Sequence, residues 1–336
     1  MASIILTYRC NLHCPYCFAG GFVNKEKTDI SIGNFLEAVS FITRTESSVS
    51  LIGGEPTVHP GFQTMMDLLI ANPKIKSINL FTNGILADRC IPQITHPKVD
   101  VIVNCNSPAN TGEEAYAHFR HSLDMLFQHR SRTNQVHLGF NLYHDDMDYS
   151  YIIELLQHYG VRTVRTSLTV PDFSAGREDN VLDYFRARKK GLLKLFRDLD
   201  RIQAMAYMDC NHPPYCIWTD EEKEWLKAYI ARCGLRNDKL VSRCSPCSTN
   251  VTIYPDLTAD RCYGMSDYAK VRISDYQDVP DIIHYFTNEI DSVAYKLPAC
   301  EECKECHEWK AGHCLGGCIG YKTSRIRAAN EAIARL

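Results

Sequence analysis

The sequence predicts an α/β protein built on a parallel β-sheet. Short apolar segments alternate with amphipathic segments through the first half of the chain. The apolar segments return at intervals of about 25–30 residues, which is the spacing of strand–helix–strand units. Turn-forming residues close several of them, including Gly53-Gly54-Glu55-Pro56 and Thr82-Asn83-Gly84. Because the carboxyl ends of parallel strands meet at one edge of a sheet, we expect the functional residues there.

The elements follow one another in a regular order. Residues 3–6 form an apolar strand, after which Ser31 is placed to cap a helix. A 3.6-residue periodicity predicts the buried face of this helix, which consists of Ile32, Phe35, Leu36, Val39 and Ile42. Apolar runs predict further strands over residues 49–52, 77–81, 99–103, 136–142 and 161–168. Helical periodicity predicts helices over 61–71, 113–129, 151–158, 180–202 and 220–232. This pattern fits both an open sheet and a partial barrel.

Composition and charge are those of an ordinary globular protein. The 336 residues are 45% hydrophobic and 23% charged, with a formal net charge of −3, which excludes the disordered and fibrous classes. This charge provides no positive field for nucleic acid, and no apolar run approaches the ~20 residues of a membrane span. The first residues lack the basic and apolar regions of a signal peptide. We therefore expect a cytoplasmic protein without nucleic-acid or membrane partners.

The 16 cysteines are the unusual feature of the composition. Three lie between Cys10 and Cys17, and eight lie between Cys244 and Cys318. A chain of this length needs no disulfides to fold, and the expected compartment keeps thiols reduced. Clustered, reduced cysteines therefore predict metal binding. Most of the scattered cysteines are expected to be small buried residues; they are Cys90, Cys105, Cys210, Cys216 and Cys233.

The amino-terminal cysteines form a Cys10-x3-Cys14-x2-Cys17 loop directly after the first predicted strand. Three thiolates on one tight loop fit a 4Fe–4S cluster that has three anchored irons and one open iron. The alternative is a zinc site completed by His13 or by a distant cysteine, since structural zinc takes four protein ligands.

This loop, followed by Gly53-Gly54-Glu55-Pro56 after the second strand, resembles the radical S-adenosylmethionine (SAM) superfamily. The resemblance implies a (β/α)6 partial TIM barrel in which the open iron binds the amino and carboxylate groups of SAM. It further implies that an electron from the reduced cluster cleaves SAM to methionine and a 5′-deoxyadenosyl radical, which abstracts hydrogen from the substrate. A flavodoxin- or ferredoxin-type protein is the electron donor that this chemistry implies.

The resemblance also implies roles for individual residues. Cys10, Cys14 and Cys17 hold the catalytic cluster. The SAM-binding candidates are Tyr16 beside the adenine, Gly53, Gly54, Glu55 and Pro56 at the ammonium group, Asn83 in the turn after the third strand, and Asn104, with Asn106, at the end of the fourth. The two glycines allow close backbone approach. Cys105 is a candidate hydrogen donor, with a small buried core cysteine as the alternative.

The carboxyl-terminal cysteines group as Cys244-x2-Cys247-x14-Cys262 and Cys300-x2-Cys303-x2-Cys306-x7-Cys314-x3-Cys318. On spacing alone, zinc ribbons are the alternative. Downstream of a radical SAM core, the pattern resembles the SPASM domain, which carries auxiliary 4Fe–4S clusters. The resemblance implies one cluster on Cys244, Cys247, Cys262 and Cys318, and another on Cys303, Cys306 and Cys314 with Cys300 as substitute fourth ligand. Three 4Fe–4S clusters are thus expected in all, one on the amino-terminal loop and two in this carboxyl-terminal region. The carboxyl-terminal region has little periodicity, and we expect it to pack around metal rather than around an apolar core.

The predicted organisation is a radical SAM core over residues 1–203, a bridging region over 204–243, a SPASM-like domain over 244–320 and a carboxyl-terminal helix over 321–336. The resemblance implies that a ribosomally synthesised peptide is crosslinked or epimerised. Because only nine residues precede Cys10, a separate leader-peptide-binding protein is a further expected partner.

Three alternative functions stay open at this point. They are dehydrogenation of a small molecule, oxidation of a protein side chain as in sulfatase maturation, and a non-catalytic iron–sulfur or zinc protein. The second is less favoured, because Tyr263 stands where sulfatase-maturing relatives carry an aspartate base.

Overall fold

The computed structural model describes residues 2–17, 19–25, 28–144, 146–169, 180–208, 211–234, 248–262, 265, 268–323 and 326. The chain divides into two compact units that interleave along the sequence. Unit 1 comprises Met1–Gly139 and Thr249–Phe286, and unit 2 comprises Phe140–Ser248 and Thr287–Leu336. The domain boundaries given above stay predictions, and most of the expected helix over 321–336 lies outside the described residues.

Strands and helices alternate as the sequence predicts. The strands are β1 Ala2–Ile5, β2 Ser48–Ile52, β3 Ser77–Thr82, β4 Val99–Asn104, β5 Val136–Leu142, β6 Thr163–Leu168, β7 Met205–Tyr207, β8 Val251–Ile253, β9 Thr258–Asp260 and β10 Val271–Arg272. The helices are α1 Ile32–Ile42, α2 Phe62–Ala71, α3 Ile91–Ile94, α4 Pro108–Thr111, α5 Glu113–His129, α6 Ser150–Tyr159, α7 Val181–Arg201, α8 Asp220–Cys233, α9 Val279–Phe286, α10 Ser292–Ala294, α11 Glu301–Glu305 and α12 His307–Lys310. Apart from the helix expected over 321–336, each predicted strand and helix is present within two residues of its expected bounds.

Unit 1 is built on a mostly parallel sheet in the order β10-β9-β8-β1-β2-β3-β4-β5, to which β5 contributes its first residues. Only the β8–β9 and β9–β10 pairs of this described sheet are antiparallel. The register aligns Ile4, Leu51, Leu80, Val101 and Val136 in one row, and each is at most 7% exposed. This row is the core of the unit, and it sets the carboxyl ends of β1 to β4 side by side. The predicted α/β class with a parallel sheet is confirmed.

Helix α1 packs with a face that differs from the predicted one. Ser31 caps the helix as expected, because its Oγ accepts from Asn34 N at 3.0 Å. The buried residues are Phe35, Ala38, Val39, Phe41 and Ile42. The prediction was wrong for Ile32 and Leu36, which are 40% and 46% exposed. The physical reason is a contact outside the sheet: Asn34 Nδ2 donates to Pro255 O at 2.8 Å, which orients the amino end of the helix.

The segment of unit 1 that follows residue 248 has an apolar core, contrary to the expectation for the cysteine-rich region. Ile253, Ile273, Ile282 and Phe286 are each at most 2% exposed. The sequence pattern hid this packing because β8, β9 and β10 are two or three residues long, too short to produce a visible period.

Unit 2 contains the parallel pair β6–β7 and the long helix α7. Asn180 caps α7 by accepting from Leu182 N at 3.0 Å. Arg186 of this helix binds Glu302 of α11 through two hydrogen bonds of 3.0 and 2.8 Å. The helix therefore holds the short segment that carries the last cysteines. None of the described helices combines the length and hydrophobicity that a membrane span requires.

Candidate active site

The loop after β1 carries the first three predicted ligands, Cys10, Cys14 and Cys17. Asn24 fixes this loop, since its Oδ1 accepts from Cys10 N at 2.8 Å and its Nδ2 donates to Leu12 O at 3.2 Å. Asn24 has a φ of +60°, which asparagine tolerates better than most residues. Cys17 N donates to Cys14 O at 3.1 Å. The sequence analysis did not single out Asn24, because an asparagine in a polar loop carries no distinguishing signal.

The three thiols are partly buried and influence one another's ionisation. Burial raises the pKa of Cys10 to about 12, and the charges of Glu55, Cys14 and Cys17 add to the rise while the Leu12 N–H opposes it. Burial also raises the pKa of Cys14 and of Cys17. Ionising all three thiols therefore requires a compensating positive charge, which bound iron supplies.

Three thiols on one loop are the donor set that an iron–sulfur cluster with one open iron takes. One zinc ion needs ligands that converge on it at about 2.0–2.3 Å. Over the described ranges of the chain, no three side chains of Cys, His, Asp or Glu converge in this way. Cluster ligands bind different irons and stand further apart. His13, the sequence-based zinc candidate, lies 3.4 Å from Asn24 Nδ2.

Gly53 and Gly54 pack directly against the backbone that leads into the cysteine loop. Gly54 N donates to Thr7 O at 2.8 Å. A Cβ on Gly53 would lie 2.6 Å from Thr7 O, and a Cβ on Gly54 would lie 2.3 Å from Arg9 O. No side chain fits at such distances. The glycines are thus required by the packing of the protein itself, in addition to the approach of SAM that the sequence analysis considered.

Glu55 is 1% exposed, and its carboxylate accepts four hydrogen bonds. Oε1 accepts from Thr57 N, Thr57 Oγ1 and Thr82 Oγ1 at 3.1, 2.6 and 2.7 Å, and Oε2 accepts from Asn83 N at 2.7 Å. Burial raises the pKa of Glu55, and these hydrogen bonds oppose the rise. Pro56 is buried and begins the turn Pro56–Val58, which Glu55 caps. Glu55 therefore joins the turn after β2 to the turn after β3.

Asn83 links the turn after β3 to the cysteine loop. Its Nδ2 donates to Asn11 Oδ1 at 2.7 Å, and its Oδ1 accepts from Ile85 N at 3.1 Å. The residue is 8% exposed. Both polar atoms of the Asn83 side chain are thus hydrogen-bonded within the protein. In this structure Asn83 therefore positions the cysteine loop.

Tyr16 contacts the end of β4. Asn104 Nδ2 donates to Tyr16 Oη at 3.1 Å, and Tyr16 Oη donates to Asn106 Oδ1. Asn106 Oδ1 also accepts from Cys14 Sγ at 3.4 Å. The structure thus brings together Tyr16 and Asn104, two of the predicted site residues, and it gives Asn106 a contact with Cys14, one of the predicted cluster ligands.

Cys105 lies at the same strand end and is 1% exposed. Its N–H donates to Gly139 O at 2.7 Å, and burial raises the pKa of its thiol to about 12. These properties agree with the alternative of a small buried core cysteine. A role as hydrogen donor stays a prediction.

Several predicted auxiliary ligands lie in unit 2, namely Cys300, Cys303, Cys306, Cys314 and Cys318. Cys300 is 3% exposed, and its Sγ is 3.5 Å from Cys303 Sγ. Burial, followed by the interaction with Cys300, raises the pKa of Cys303 to about 12. Cys262 belongs to unit 1. Cys210, Cys244 and Cys247 lie outside the described residues.

A buried lysine holds the loop before Cys318. Lys322 is 0% exposed, and its Nζ donates to Leu315 O at 2.7 Å and to Ala294 O at 2.8 Å. Gly316, with a φ of +76°, permits this approach because a Cβ there would lie 2.7 Å from Lys322 Nζ. The sequence analysis did not identify Lys322, because most lysines are exposed and nothing in the sequence marks this one as buried.

Similarity to known protein sequences is found in the segment that holds the candidate site. The model of the Radical SAM superfamily matches residues 4–104, the segment that holds the cysteine loop and the ends of β2, β3 and β4. The molybdenum cofactor biosynthesis protein moc-5 of Caenorhabditis elegans is 32% identical over 94 residues, which are 27% of this chain and 16% of that protein. The GTP 3′,8-cyclase of Pasteurella multocida is 34% identical over 82 residues, 24% of each chain. This chain thus spans about a quarter or less of the length of these curated relatives.

Solved structures resemble the chain over nearly its whole length. Native anSMEcpe with bound AdoMet matches with a TM-score of 0.63 and 15% identity, covering 100% of both chains. SuiB of Streptococcus suis bound to precursor peptide SuiA matches with a TM-score of 0.56 and 12% identity, covering 94% of this chain and 71% of that one. The likeness confirms the predicted partial-barrel fold. Residues 4–104 thus match the model of the Radical SAM superfamily, and the fold of the chain agrees with that match.

Proposed function

We propose that this chain is a radical SAM enzyme and that it modifies a ribosomally synthesised peptide by crosslinking or epimerisation. Its bound cluster would supply the electron that cleaves SAM to methionine and a 5′-deoxyadenosyl radical. Cys10, Cys14 and Cys17 would hold three of the four irons. We propose two protein partners for this chain. One is a reductant of the flavodoxin or ferredoxin type, and the other is a separate leader-peptide-binding protein.

The side chains around the cluster loop would act mainly by positioning. Glu55 and Asn83 are engaged by protein atoms, so we assign them to holding the turns, whose backbone groups would meet SAM. Tyr16 and Asn104 are the candidates for contact with the adenosine part of SAM. Positioning of this kind lowers the barrier because the reacting groups are held before the radical forms.

We further propose two auxiliary 4Fe–4S clusters in a SPASM-like region, three clusters in all. Their thiolates come from the cysteines after residue 243. Such clusters offer the second electron of a two-electron oxidation a route out of the substrate. This is why crosslinking, which removes two hydrogens, is our first choice among peptide modifications.

One observation supports the proposal that the substrate is a peptide. The likeness in fold to SuiB, solved with its precursor peptide, covers 94% of this chain. By contrast, the similarity to GTP 3′,8-cyclase covers 24% of this chain. The likeness to SuiB extends into the carboxyl-terminal region, whereas the similarity to GTP 3′,8-cyclase does not cover most of the chain. The comparisons therefore support a peptide substrate more strongly than a nucleotide substrate.

Dehydrogenation or rearrangement of a small molecule is the second candidate function. The specific observation in its favour is the identity, 34% over 82 residues, to an enzyme that is named for its action on GTP. A purine nucleoside triphosphate is therefore the small molecule to include in any assay.

The test uses the full chain, reconstituted anaerobically with iron and sulfide and supplied with SAM and dithionite. Candidate peptides are those encoded beside its gene, and a Cys14→Ala variant is the control. We expect 5′-deoxyadenosine and a peptide that is lighter by about 2 Da after crosslinking, or heavier by about 1 Da after epimerisation in deuterated water. Unchanged peptides, with 5′-deoxyadenosine formed only when a nucleotide is consumed, would establish the second candidate instead.

A further inference from the structure

We propose that Arg188 of α7 binds a carboxylate group of the substrate peptide. The inference rests on the proposed peptide substrate, and it deepens that proposal by naming a chemical group that the substrate must carry. Arg188 belongs to a run of basic residues on α7, namely Arg186, Arg188, Lys189 and Lys190. Its surroundings differ from those of the other residues in the run.

Two of the neighbouring basic residues have carboxylate partners within unit 2. Arg186 binds Glu302 at 2.8 Å, and Lys189 Nζ lies 2.6 Å from Glu222 Oε2. Arg188 is half-buried, yet no carboxylate of the described residues forms an ion pair with it. Charged side chains that are withdrawn from water are generally paired. The structure therefore leaves the half-buried positive charge of this run without an anionic partner.

The Arg188 guanidinium is held in a fixed orientation by its own helix. Its Cζ lies 3.9 Å from the centroid of the Tyr184 ring, and its Nη1 donates to Tyr184 O at 3.3 Å. Its Nε is buried and has no hydrogen-bond partner among the described residues. A guanidinium edge formed by two N–H groups pairs with the two oxygens of a carboxylate. A ligand carboxylate at the Nε–Nη2 edge would therefore supply the missing partner.

Tyr184 places this guanidinium near the carboxyl end of β6. Its Oη donates to the carbonyl oxygen of Thr169, the residue directly after the strand. Asn211 Nδ2 contacts the same oxygen at 3.4 Å, and Asn211 Oδ1 accepts from Tyr321 Oη at 3.0 Å. The ring of Tyr321 lies 6.0 Å from that of Tyr184. Because α/β proteins bind their substrates at the carboxyl ends of parallel strands, Arg188 lies at the edge where a substrate is expected.

Two molecules in the proposed reaction carry a carboxylate, namely the peptide and SAM. The family resemblance assigns the SAM carboxylate to the open iron of the catalytic cluster, so that group already has a partner. A peptide offers carboxylates on its aspartate and glutamate side chains and at its carboxyl terminus. The peptide is therefore the source that we infer for the group bound by Arg188.

The test measures the binding of fluorescently labelled peptides to the full chain, reconstituted anaerobically with iron and sulfide and supplied with SAM. Each peptide encoded beside the gene is used in its native form and in a neutral form, in which Asn and Gln replace Asp and Glu and the carboxyl terminus is amidated. We expect the parent to bind the native form about tenfold more tightly than the neutral form, as a charge-assisted hydrogen bond provides. This comparison needs no variant, so it does not depend on how a variant folds.

Variants of α7 then assign the effect to one residue. Arg188→Gln should bind the native peptide about tenfold more weakly than the parent does and should bind the neutral form equally well. Arg188→Lys keeps the charge but loses the two-donor edge, so it should also bind the native form more weakly. Lys190→Gln removes the same charge from an exposed residue of the same run, and as the control it should bind both forms as the parent does.

Three results would overturn the proposal, and they have different meanings. Equal affinity of the parent for the native and neutral forms would mean that the peptide needs no carboxylate. If Arg188→Gln binds the native peptide as the parent does but binds SAM about tenfold more weakly in equilibrium dialysis, the carboxylate belongs to SAM. If the parent binds neither form of any candidate peptide, the proposed peptide substrate itself is wrong.

Discussion

Substitution of Gly54 by alanine tests how tightly the turn after β2 is packed on the cysteine loop. Gly54→Ala would place a methyl group 2.3 Å from Arg9 O and 2.7 Å from the Arg9 carbonyl carbon, well inside the ~3.5 Å of an ordinary contact. Both atoms belong to the backbone, so neither can rotate away. The turn must therefore move, and the hydrogen bonds from Gly54 N to Thr7 O and from Glu55 N to Arg9 O, each 2.8 Å long, must lengthen.

The expected loss of unfolding free energy is about 3–5 kcal/mol, from about 1–3 kcal/mol of overpacking and about 1 kcal/mol for each weakened hydrogen bond. Urea denaturation of the full chain measures this loss as a lower midpoint. Gly33→Ala is the matched control, because the nearest atom to its new Cβ is Ser31 Oγ at 3.8 Å. In α1 this change is expected to raise stability by up to about 1 kcal/mol. Equal midpoints for Gly54→Ala and the parent would refute the packing described.

Three further predictions concern buried polar groups. Glu55→Gln puts an N–H donor where the carboxylate accepts, so we expect urea unfolding to show a loss of about 1–3 kcal/mol; an unchanged midpoint would mean that the four hydrogen bonds do not form. His59 donates from Nε2 to Ile30 O at 3.0 Å and accepts at Nδ1 from Gly61 N at 2.9 Å, as a neutral ring does, and burial lowers its pKa from the ordinary 6.5. The unfolded chain binds a proton at His59 more readily than the folded chain does. The stabilisation that the neutral ring gives to the folded state is therefore present above pH 6.5 and is lost as the pH falls. The unfolding free energy of His59→Leu should therefore depend less on pH between about 7 and 5 than that of the parent. Equal pH dependence of the unfolding free energy in the variant and the parent would contradict this prediction. Lys322→Met leaves one buried and one partly buried carbonyl group without their donor, so thermal unfolding should show a loss of about 2–4 kcal/mol. An unchanged Tm would contradict the buried position of the amine.

The strands and their closing turns could be predicted because each rests on local signals. The apolar runs of β2, β3 and β4 are bounded by glycine-containing or asparagine-containing turns, and the cysteine loop follows β1 directly. Parallel pairing then places these turns along one edge. The prediction of Tyr16 and Asn104 as residues of one site follows from this topology together with the family resemblance.

The bonds that fix the site could not be predicted, because they join residues that are distant in sequence. Asn106 reaches Cys14 across 92 positions, and Asn83 reaches Asn11 across 72. Nothing local distinguishes these asparagines from those in ordinary loops. The buried face of α1 was misjudged for a similar reason, since the contact of Asn34 with Pro255 spans 221 positions.

The most direct measurement is the formation of 5′-deoxyadenosine by the anaerobically reconstituted chain when SAM and dithionite are supplied. If Cys10, Cys14 and Cys17 hold the catalytic cluster, the parent forms 5′-deoxyadenosine and binds about twelve irons, from three clusters of four. Cys14→Ala should form none and bind about four fewer irons, while Cys233→Ala should match the parent in both respects. A parent chain that binds zinc in place of iron and leaves SAM intact would contradict the assignment of these cysteines.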